Sequence, residues 1–163
     1  MGNAVWEGNI EKHLSKNPLL RFLMRKFNRD VVAIVGRVAP QSILDVGCGQ
    51  GNLLKLIIEK NINCELHGID FNINVKDLDI PKCSISVQDA RNMNFEDDFF
   101  DTVLAVDTLE HVPDVENALK EIRRVLKKDG KFIIVGPTES FVYKLGRFML
   151  KGTFSEKEGP ETG

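Results

Sequence analysis

The chain has 163 residues, 42% of them hydrophobic and 28% charged, and a formal net charge of −2. This length and composition predict a single globular domain and exclude an intrinsically disordered chain. We expect neither a membrane-spanning helix nor a secretory signal, because the apolar runs are short and no basic region precedes one at the N-terminus. The three widely spaced cysteines, Cys48, Cys64 and Cys83, predict free thiols and a cytoplasmic protein.

The charge is unevenly distributed along the chain. Residues 1–40 contain seven Lys/Arg and three Asp/Glu, whereas residues 41–136 contain eleven Lys/Arg and seventeen Asp/Glu. The acidic middle disfavours a general nucleic-acid surface and suits a positively charged small ligand better. We therefore expect a small-molecule partner and no nucleic acid.

Residues 1–40 have the pattern of amphipathic helices. Asn17 and Pro18 suit an N-cap and a first helical position, and apolar residues then recur every three or four positions as far as Val38. One or two helices are therefore predicted before Pro40.

Residues 41–136 alternate short apolar runs with helical stretches, which is typical of βαβ units. The pattern predicts an α/β fold with a doubly wound, mostly parallel sheet, and residues 137–163 form a helical or irregular tail of the same domain. The predicted strands are Ser42–Val46, Glu65–Ile69, Ser84–Val87, Asp101–Val106 and Lys131–Val135. The predicted helices are Asn52–Lys60 and Val115–Lys127, the second closed by Gly130 as a left-handed C-cap.

A glycine turn connects the first predicted strand to the helix that follows it. Glycines stand at positions 47, 49 and 51, and Asp45 precedes the first of them by two residues. A dinucleotide fingerprint, GxGxxG, would have its third glycine one residue later, and a carboxylate is unfavourable beside a pyrophosphate. The turn therefore favours a ligand with an ammonium group, although many strand-to-helix turns need glycine for steric reasons alone.

Acidic residues also follow the next two strands. Asp70 comes nineteen residues after Gly51, where a carboxylate can accept hydrogen bonds from ribose hydroxyls, and Phe71 can pack on an adenine face. The alternative for Asp70 is a helix-cap or turn aspartate. Asp89 and Ala90 follow the third strand, so that three acidic residues at successive strand ends describe a site.

Five motifs follow one another along the chain: Asp45-x-Gly-x-Gly-x-Gly, Gly68-Ile69-Asp70, Asp89-Ala90, Phe100-Asp101 through Leu109-Glu110-His111-Val112, and Arg124-Val125-Leu126-Lys127. Together they resemble the motifs of the class I S-adenosylmethionine-dependent methyltransferases that act on small molecules. The resemblance covers about residues 41–136, with Lys128-Asp129-Gly130 in place of the usual Lys-Pro-Gly.

The resemblance implies a seven-stranded sheet and S-adenosyl-L-methionine as the cofactor. It implies that the backbone of residues 47–49 lies along the methionyl part and that Asp45 supports its amine. Asp70 would hold the ribose, Asp89 with Ala90 the adenine, and Asp107 would border the sulfonium. The predicted cofactor-binding residues are Asp45, Gly47, Cys48, Gly49, Asp70, Phe71, Asp89, Ala90 and Asp107.

The catalytic residue and the acceptor stay open at this stage. His111 follows the strand that borders the sulfonium, where it either takes part in transfer or packs against its loop; Asp107, Glu110 and Tyr143 are further candidates for a base. No metal site is predicted. The alternatives to a methyltransferase are a non-catalytic adenosylmethionine-binding module and, less favoured, an NAD-dependent oxidoreductase.

The flanking segments suggest a lipid-like acceptor and peripheral membrane contact. Residues 18–38 are basic and amphipathic, and the Phe141–Leu150 segment has Lys144, Arg147 and the following Lys151 on one helical face. The alternative is that both apolar faces cover the sheet. The 28 residues from Gly136 onward lack a pair of alternating strands, so we expect a shortened chain with weak or no transfer activity and an open sheet edge that self-associates.

Overall fold

A computed structural model of the chain describes residues 18–72, 78 and 80–136, with side chains from Arg25 onward. The strands are β1 Ser42–Val46, β2 Glu65–Asp70, β3 Cys83–Val87, β4 Phe100–Val106 and β5 Leu126–Val135. The helices are α1 Pro18–Val38, α2 Asn52–Glu59 and α3 Val115–Val125, with a 3-10 helix at Leu109–His111. These five strands pair with one another in parallel, in the order β3-β2-β1-β4-β5.

Helices lie on both faces of this sheet, as predicted for a doubly wound fold. On one face, Val31 and Val35 of α1 and Leu54 of α2 pack with Ile43 and Leu104 of the two central strands. The other face packs against α3 in a separate cluster, whose members include Leu44, Val46, Val103, Ala118, Leu119 and Ile122. The alternation of side chains along β1 and β4 divides the core into these two layers.

Among the residues that the structure describes, one helix precedes the sheet, and it begins at Pro18, at the predicted first helical position. Its buried valines cover the sheet. This is the packing expected from the alternative interpretation of the sequence, in which the apolar face of the helix covers the sheet. Basic residues occupy the exposed surface of the same helix, including Arg25, Lys26 and Arg29.

The prediction for the end of α3 is wrong. The helix ends at Val125, two residues before the expected Lys127, because Leu126 is buried and already pairs with Phe100 of β4. The next paired residue of β5 is Lys131, opposite Thr102, so the intervening residues bulge out of the strand. Gly130 lies within this bulge without a left-handed φ and is therefore no C-cap.

Among the described residues, no helix is both long and apolar enough to cross a membrane. The expectations for the tail, namely the Phe141–Leu150 helix, the missing strand pair, the role of Tyr143 and the open edge, fall outside the described residues. The same holds for the N-cap at Asn17.

Candidate functional site

The carboxyl ends of the strands enclose a cavity of about 140 Å³. This edge of a parallel sheet is where open α/β folds bind ligands. Five of the nine predicted residues line it: Gly47, Asp70, Phe71, Asp89 and Ala90. The other lining residues are Val46, Ile69, Gln88, Arg91, Thr108, Val112 and Pro113.

The glycine turn is held against the end of β2. The backbone N–H groups of Gly47 and Cys48 both donate to the carbonyl of Ile69, at 2.7 and 3.0 Å. Gly49 has φ +51°, and a Cβ atom built on it would meet no atom within 4 Å. Its backbone is therefore open to a ligand, although Gly49 itself does not line the cavity.

The Asp70 carboxylate is fixed by two backbone donors. The N–H of Gly49 donates to Oδ2 at 2.9 Å, and the N–H of Asn72 donates to Oδ1 at 3.0 Å. A carboxylate offers about four acceptor positions, so each oxygen retains one for a ligand hydroxyl. The sequence offered two interpretations of Asp70, a ligand-binding acid or a turn aspartate. The side chain fits both, because it stabilises the turn and also lines the cavity.

Asp45 lies beneath the turn and is only 3% exposed. Burial, together with the negative charge of Asp70, raises its pKa from 3.8 to about 7. A cation brought to this region would offset the repulsion between the two carboxylates. Asp45 does not line the cavity, so the structure brings it near Asp70 without exposing it.

Cys48 is buried in the same region and is not a reactive thiol. Burial and the charges of Asp45 and Asp70 raise the pKa of its thiol well above the usual range, so the thiol stays protonated. A Cβ atom on Gly68 would lie 2.8 Å from its Sγ, so Cys48 fills the space above a glycine of β2. Cys48, Cys64 and Cys83 are all free, as predicted.

Arg91 is a cavity residue that the sequence interpretation missed. Its Nη2 donates to Asp89 Oδ2 at 2.6 Å, and its Nε donates to Oδ1 at 2.9 Å and Oδ2 at 3.1 Å. Its backbone N–H also donates to Oδ1, at 2.9 Å. Hydrogen bonds from Arg91 lower the pKa of Asp89, so this carboxylate is ionised at neutral pH.

The end of β4 contributes Thr108 to the cavity rather than the predicted Asp107. The Thr108 side chain is buried against Gly47, and its Oγ1 donates to the carbonyl of Val106 at 3.0 Å. Asp107 has φ +49° and its N–H donates to the carbonyl of Val135 at 2.8 Å, so its backbone is fixed against the end of β5. Thr108 is the second residue after β4, and this place at the carboxyl end of a strand was the available signal.

The loop that bears Asp89 is anchored by Arg124 of α3. Its guanidinium donates to the carbonyls of Met93 at 2.8 Å and Phe95 at 2.6 Å, and to Glu121 at 2.7 and 2.8 Å. Glu121 in turn accepts from the N–H of Met93 at 2.7 Å. The Arg124 motif found in the sequence therefore has a structural role, since it holds one wall of the cavity.

The two histidines in the described part of the chain lie in different environments. His111 lies beside Glu110 in the 3-10 helix, with Nε2 and Oε1 3.8 Å apart, and does not line the cavity. His67 packs edge-on against Phe95, Phe99 and Phe100 and bonds to a neighbouring glutamate, so it belongs to the core. Within the described ranges no three His, Cys, Asp or Glu side chains form a metal-binding group.

Comparisons with known proteins agree with this arrangement. The methyltransferase domain family matches residues 44–134. A demethylmenaquinone methyltransferase from Thermotoga maritima is 30% identical over 149 residues, which cover 86% of this chain and 65% of that protein. A sterol 4-C-methyltransferase from Caenorhabditis elegans is 34% identical over 100 residues, which cover 56% of this chain and 29% of that protein.

A solved structure shows the same fold. The PH0226 protein from Pyrococcus horikoshii superposes with a TM-score of 0.61 at 24% identity, covering 88% of this chain and 66% of that one. This chain spans less than two thirds of the length of the demethylmenaquinone and sterol methyltransferases. The family match includes β1, the glycine turn, the acidic strand ends and Arg124. The chain therefore belongs to the methyltransferase domain family.

Proposed function

We propose that the chain binds S-adenosylmethionine and takes part in methyl transfer to a small-molecule, lipid-like acceptor. The observation that carries the proposal is the juxtaposition of an open glycine backbone at Gly49 with the fixed Asp70 carboxylate at the carboxyl edge of the sheet. The match to the methyltransferase domain family supports it.

The residues present fit this cofactor. The ring and aliphatic side chains that line the cavity, among them Phe71, Ile69 and Val112, suit the flat face of a purine. Asp70 retains acceptor positions for hydroxyl groups, and the paired acids Asp45 and Asp70 favour a ligand that carries positive charge. A dinucleotide would instead place a pyrophosphate beside these two carboxylates, which argues against NAD.

The chemistry that the cofactor supplies is a methyl group on a sulfonium. The protein's own contribution is to bind, orient and exclude water rather than to form a covalent bond. Asp70 and Asp89 would hold the nucleoside, while the turn at residues 47–49 would lie along the amino-acid part. A base is needed only for an acceptor that must lose a proton, and Glu110 and His111 stay candidates for that role.

Cofactor binding can be tested with Asp70→Ala. Isothermal titration should show that S-adenosylmethionine and S-adenosylhomocysteine bind and that NAD does not. The substitution should weaken binding of S-adenosylhomocysteine by about 1–3 kcal/mol, because ligand hydroxyls lose their acceptor and the Gly49 turn loses an anchor. Glu59→Ala, an exposed carboxylate at the end of α2, serves as the control.

Two outcomes would contradict this assignment. Unchanged affinity in Asp70→Ala would remove Asp70 from the site, and tighter binding of NAD than of S-adenosylhomocysteine would favour an oxidoreductase. A chain that binds the cofactor but transfers no methyl group to any member of a quinol and sterol panel would be a binding module.

The acceptor class and its source are part of the same proposal. Two relatives are named for demethylmenaquinone and for a sterol, which are apolar ring compounds. Helix α1 spans about 31 Å, roughly twice the length of β1, and three residues connect its end to the start of that strand. With Val31 and Val35 packed over the sheet, its N-terminal turns extend toward the carboxyl edge, with Arg25 and Arg29 exposed.

We infer that this basic surface of α1 contacts anionic lipid and brings the cavity close to a membrane-borne acceptor. The full chain should float with anionic phosphatidylglycerol vesicles at low salt, and Arg25→Gln/Arg29→Gln should reduce the floated fraction several-fold. Lys128→Gln/Lys131→Gln removes the same charge from the opposite end of the sheet and should float normally. Failure of the parent chain to float, or equal loss in both variants, would rule out this surface.

A further inference from the structure

The Asp89–Arg91 pair lies in the wall of the cavity, where Arg91 is also exposed to solvent. Both residues line the cavity, and the side chains of Arg91 and Asp89 are 38% and 29% exposed. A structural ion pair on a protein surface has little effect on stability, so its position in the site is the feature that needs explanation. The turn itself is already closed by the N–H of Asn92, which donates to the carbonyl of Asp89 at 3.0 Å.

Arg91 uses most of the hydrogen-bonding capacity of the Asp89 carboxylate. Oδ1 accepts from the backbone N–H and from Nε, both at 2.9 Å, while Oδ2 accepts from Nη2 at 2.6 Å and shares the Nε hydrogen at 3.1 Å. Three donor hydrogens thus meet a carboxylate that has about four acceptor positions, so about one remains, on Oδ2. The planar guanidinium also fixes the rotation of the carboxylate, which a single-point contact would not do.

We propose that Arg91 is a specificity-determining residue that leaves Asp89 one fixed acceptor position, which selects a purine with a 6-amino group. The inference rests on the proposed cofactor site. An exocyclic amine donates to such an acceptor, whereas the oxygen of a 6-oxo purine is repelled by it. The 6-oxo ring has its donor at N1 instead, and a fixed carboxylate cannot turn to accept from it.

Removal of the Arg91 guanidinium should therefore reduce the discrimination between 6-amino and 6-oxo purines. Without the guanidinium the carboxylate can rotate toward either donor, so the amino ligand loses affinity and the oxo ligand gains relative to it. Lysine would retain the positive charge near Asp89 but not the two-point geometry. A purely structural role for Arg91 would weaken both ligands equally and leave their ratio unchanged.

The test compares S-adenosylhomocysteine with its 6-oxo analogue, S-inosylhomocysteine, by isothermal titration on the full chain. The unsubstituted protein should prefer the amino ligand by about tenfold or more, as expected for one charge-assisted hydrogen bond. Arg91→Ala and Arg91→Lys should both lower this ratio several-fold. Arg37→Gln removes an exposed arginine from the last turn of α1 and should leave the ratio unchanged.

The outcomes separate the two levels of the proposal. If the unsubstituted chain binds S-adenosylhomocysteine and the ratio is the same in Arg91→Ala, the role of Arg91 is overturned while the cofactor site stands. If Arg91→Lys retains the full ratio, charge rather than orientation is responsible and the geometric inference fails. If the unsubstituted chain binds neither ligand, the cofactor site fails and the inference fails with it.

Discussion

Asp45→Asn should raise the free energy of unfolding at pH 8 by about 2–4 kcal/mol. The pKa of Asp45 is about 7 in the folded protein against an unfolded value of 3.8, because the side chain is buried beside Asp70. Between these values the folded state holds a proton that the unfolded state has released, so stability falls as pH rises from about 4 to about 7 and is level above. Urea unfolding at pH 5, 6, 7 and 8 measures this slope.

Asp45→Asn should weaken cofactor binding while it stabilises the fold. Asparagine removes the buried negative charge, which flattens the pH dependence but also removes the charge available to a ligand ammonium. Glu59→Gln, an exposed carboxylate, should change neither stability nor binding. If Asp45→Asn were less stable than the parent at pH 8 and kept its slope between pH 5 and 7, the buried acid would not be the source of that slope.

The parts of the fold that could be predicted are those that depend on local pattern. All five residues of β1 are buried, and the short run that is apolar at Ile43, Leu44 and Val46 predicted its bounds at Ser42 and Val46. The positive φ values of Gly47, Gly49 and Gly51 explain why a glycine turn was readable between strand and helix. Confirmation of the family through residues 44–134 follows from the same motifs.

The features that escaped prediction depend on contacts between distant residues. Helix α3 ends at Val125 because Leu126 pairs with a strand 26 residues earlier in the chain, at Phe100, and periodicity alone carries no information on that pairing. Likewise, Asp45 and Asp107 have the expected sequence spacing but do not line the cavity. Asp45 is buried, and the backbone of Asp107 is bonded to the end of β5, neither of which the spacing reveals. The hydrogen bonds from Arg91 to Asp89 depend on the rotamer of the Arg91 side chain, which sequence motifs do not specify.

Gly47→Ala should destabilise the fold by about 3–4 kcal/mol and abolish binding of S-adenosylhomocysteine. Gly47 has φ +76°, which costs a non-glycine residue about 1–2 kcal/mol. A methyl group there would also overlap Cγ2 and Oγ1 of Thr108, which is 5% exposed and cannot move into solvent. Urea unfolding gives the loss of stability, and isothermal titration gives the loss of binding.

Gly49→Ala separates backbone strain from steric overlap as causes of the lost stability in Gly47→Ala. Gly49 has a similar left-handed φ of +51°, but a methyl group there meets no atom within 4 Å, so only backbone strain of about 1 kcal/mol should appear. Thr108→Gly removes the side chain that the methyl group added by Gly47→Ala would overlap. In a double-mutant cycle, Gly47→Ala should therefore cost about 2 kcal/mol less in the Thr108→Gly background than in the parent. Equal losses of stability for Gly47→Ala and Gly49→Ala, or a double-mutant cycle without coupling, would show that Thr108 does not pack against the turn. The cavity wall would then not be formed by contact between Gly47 and Thr108.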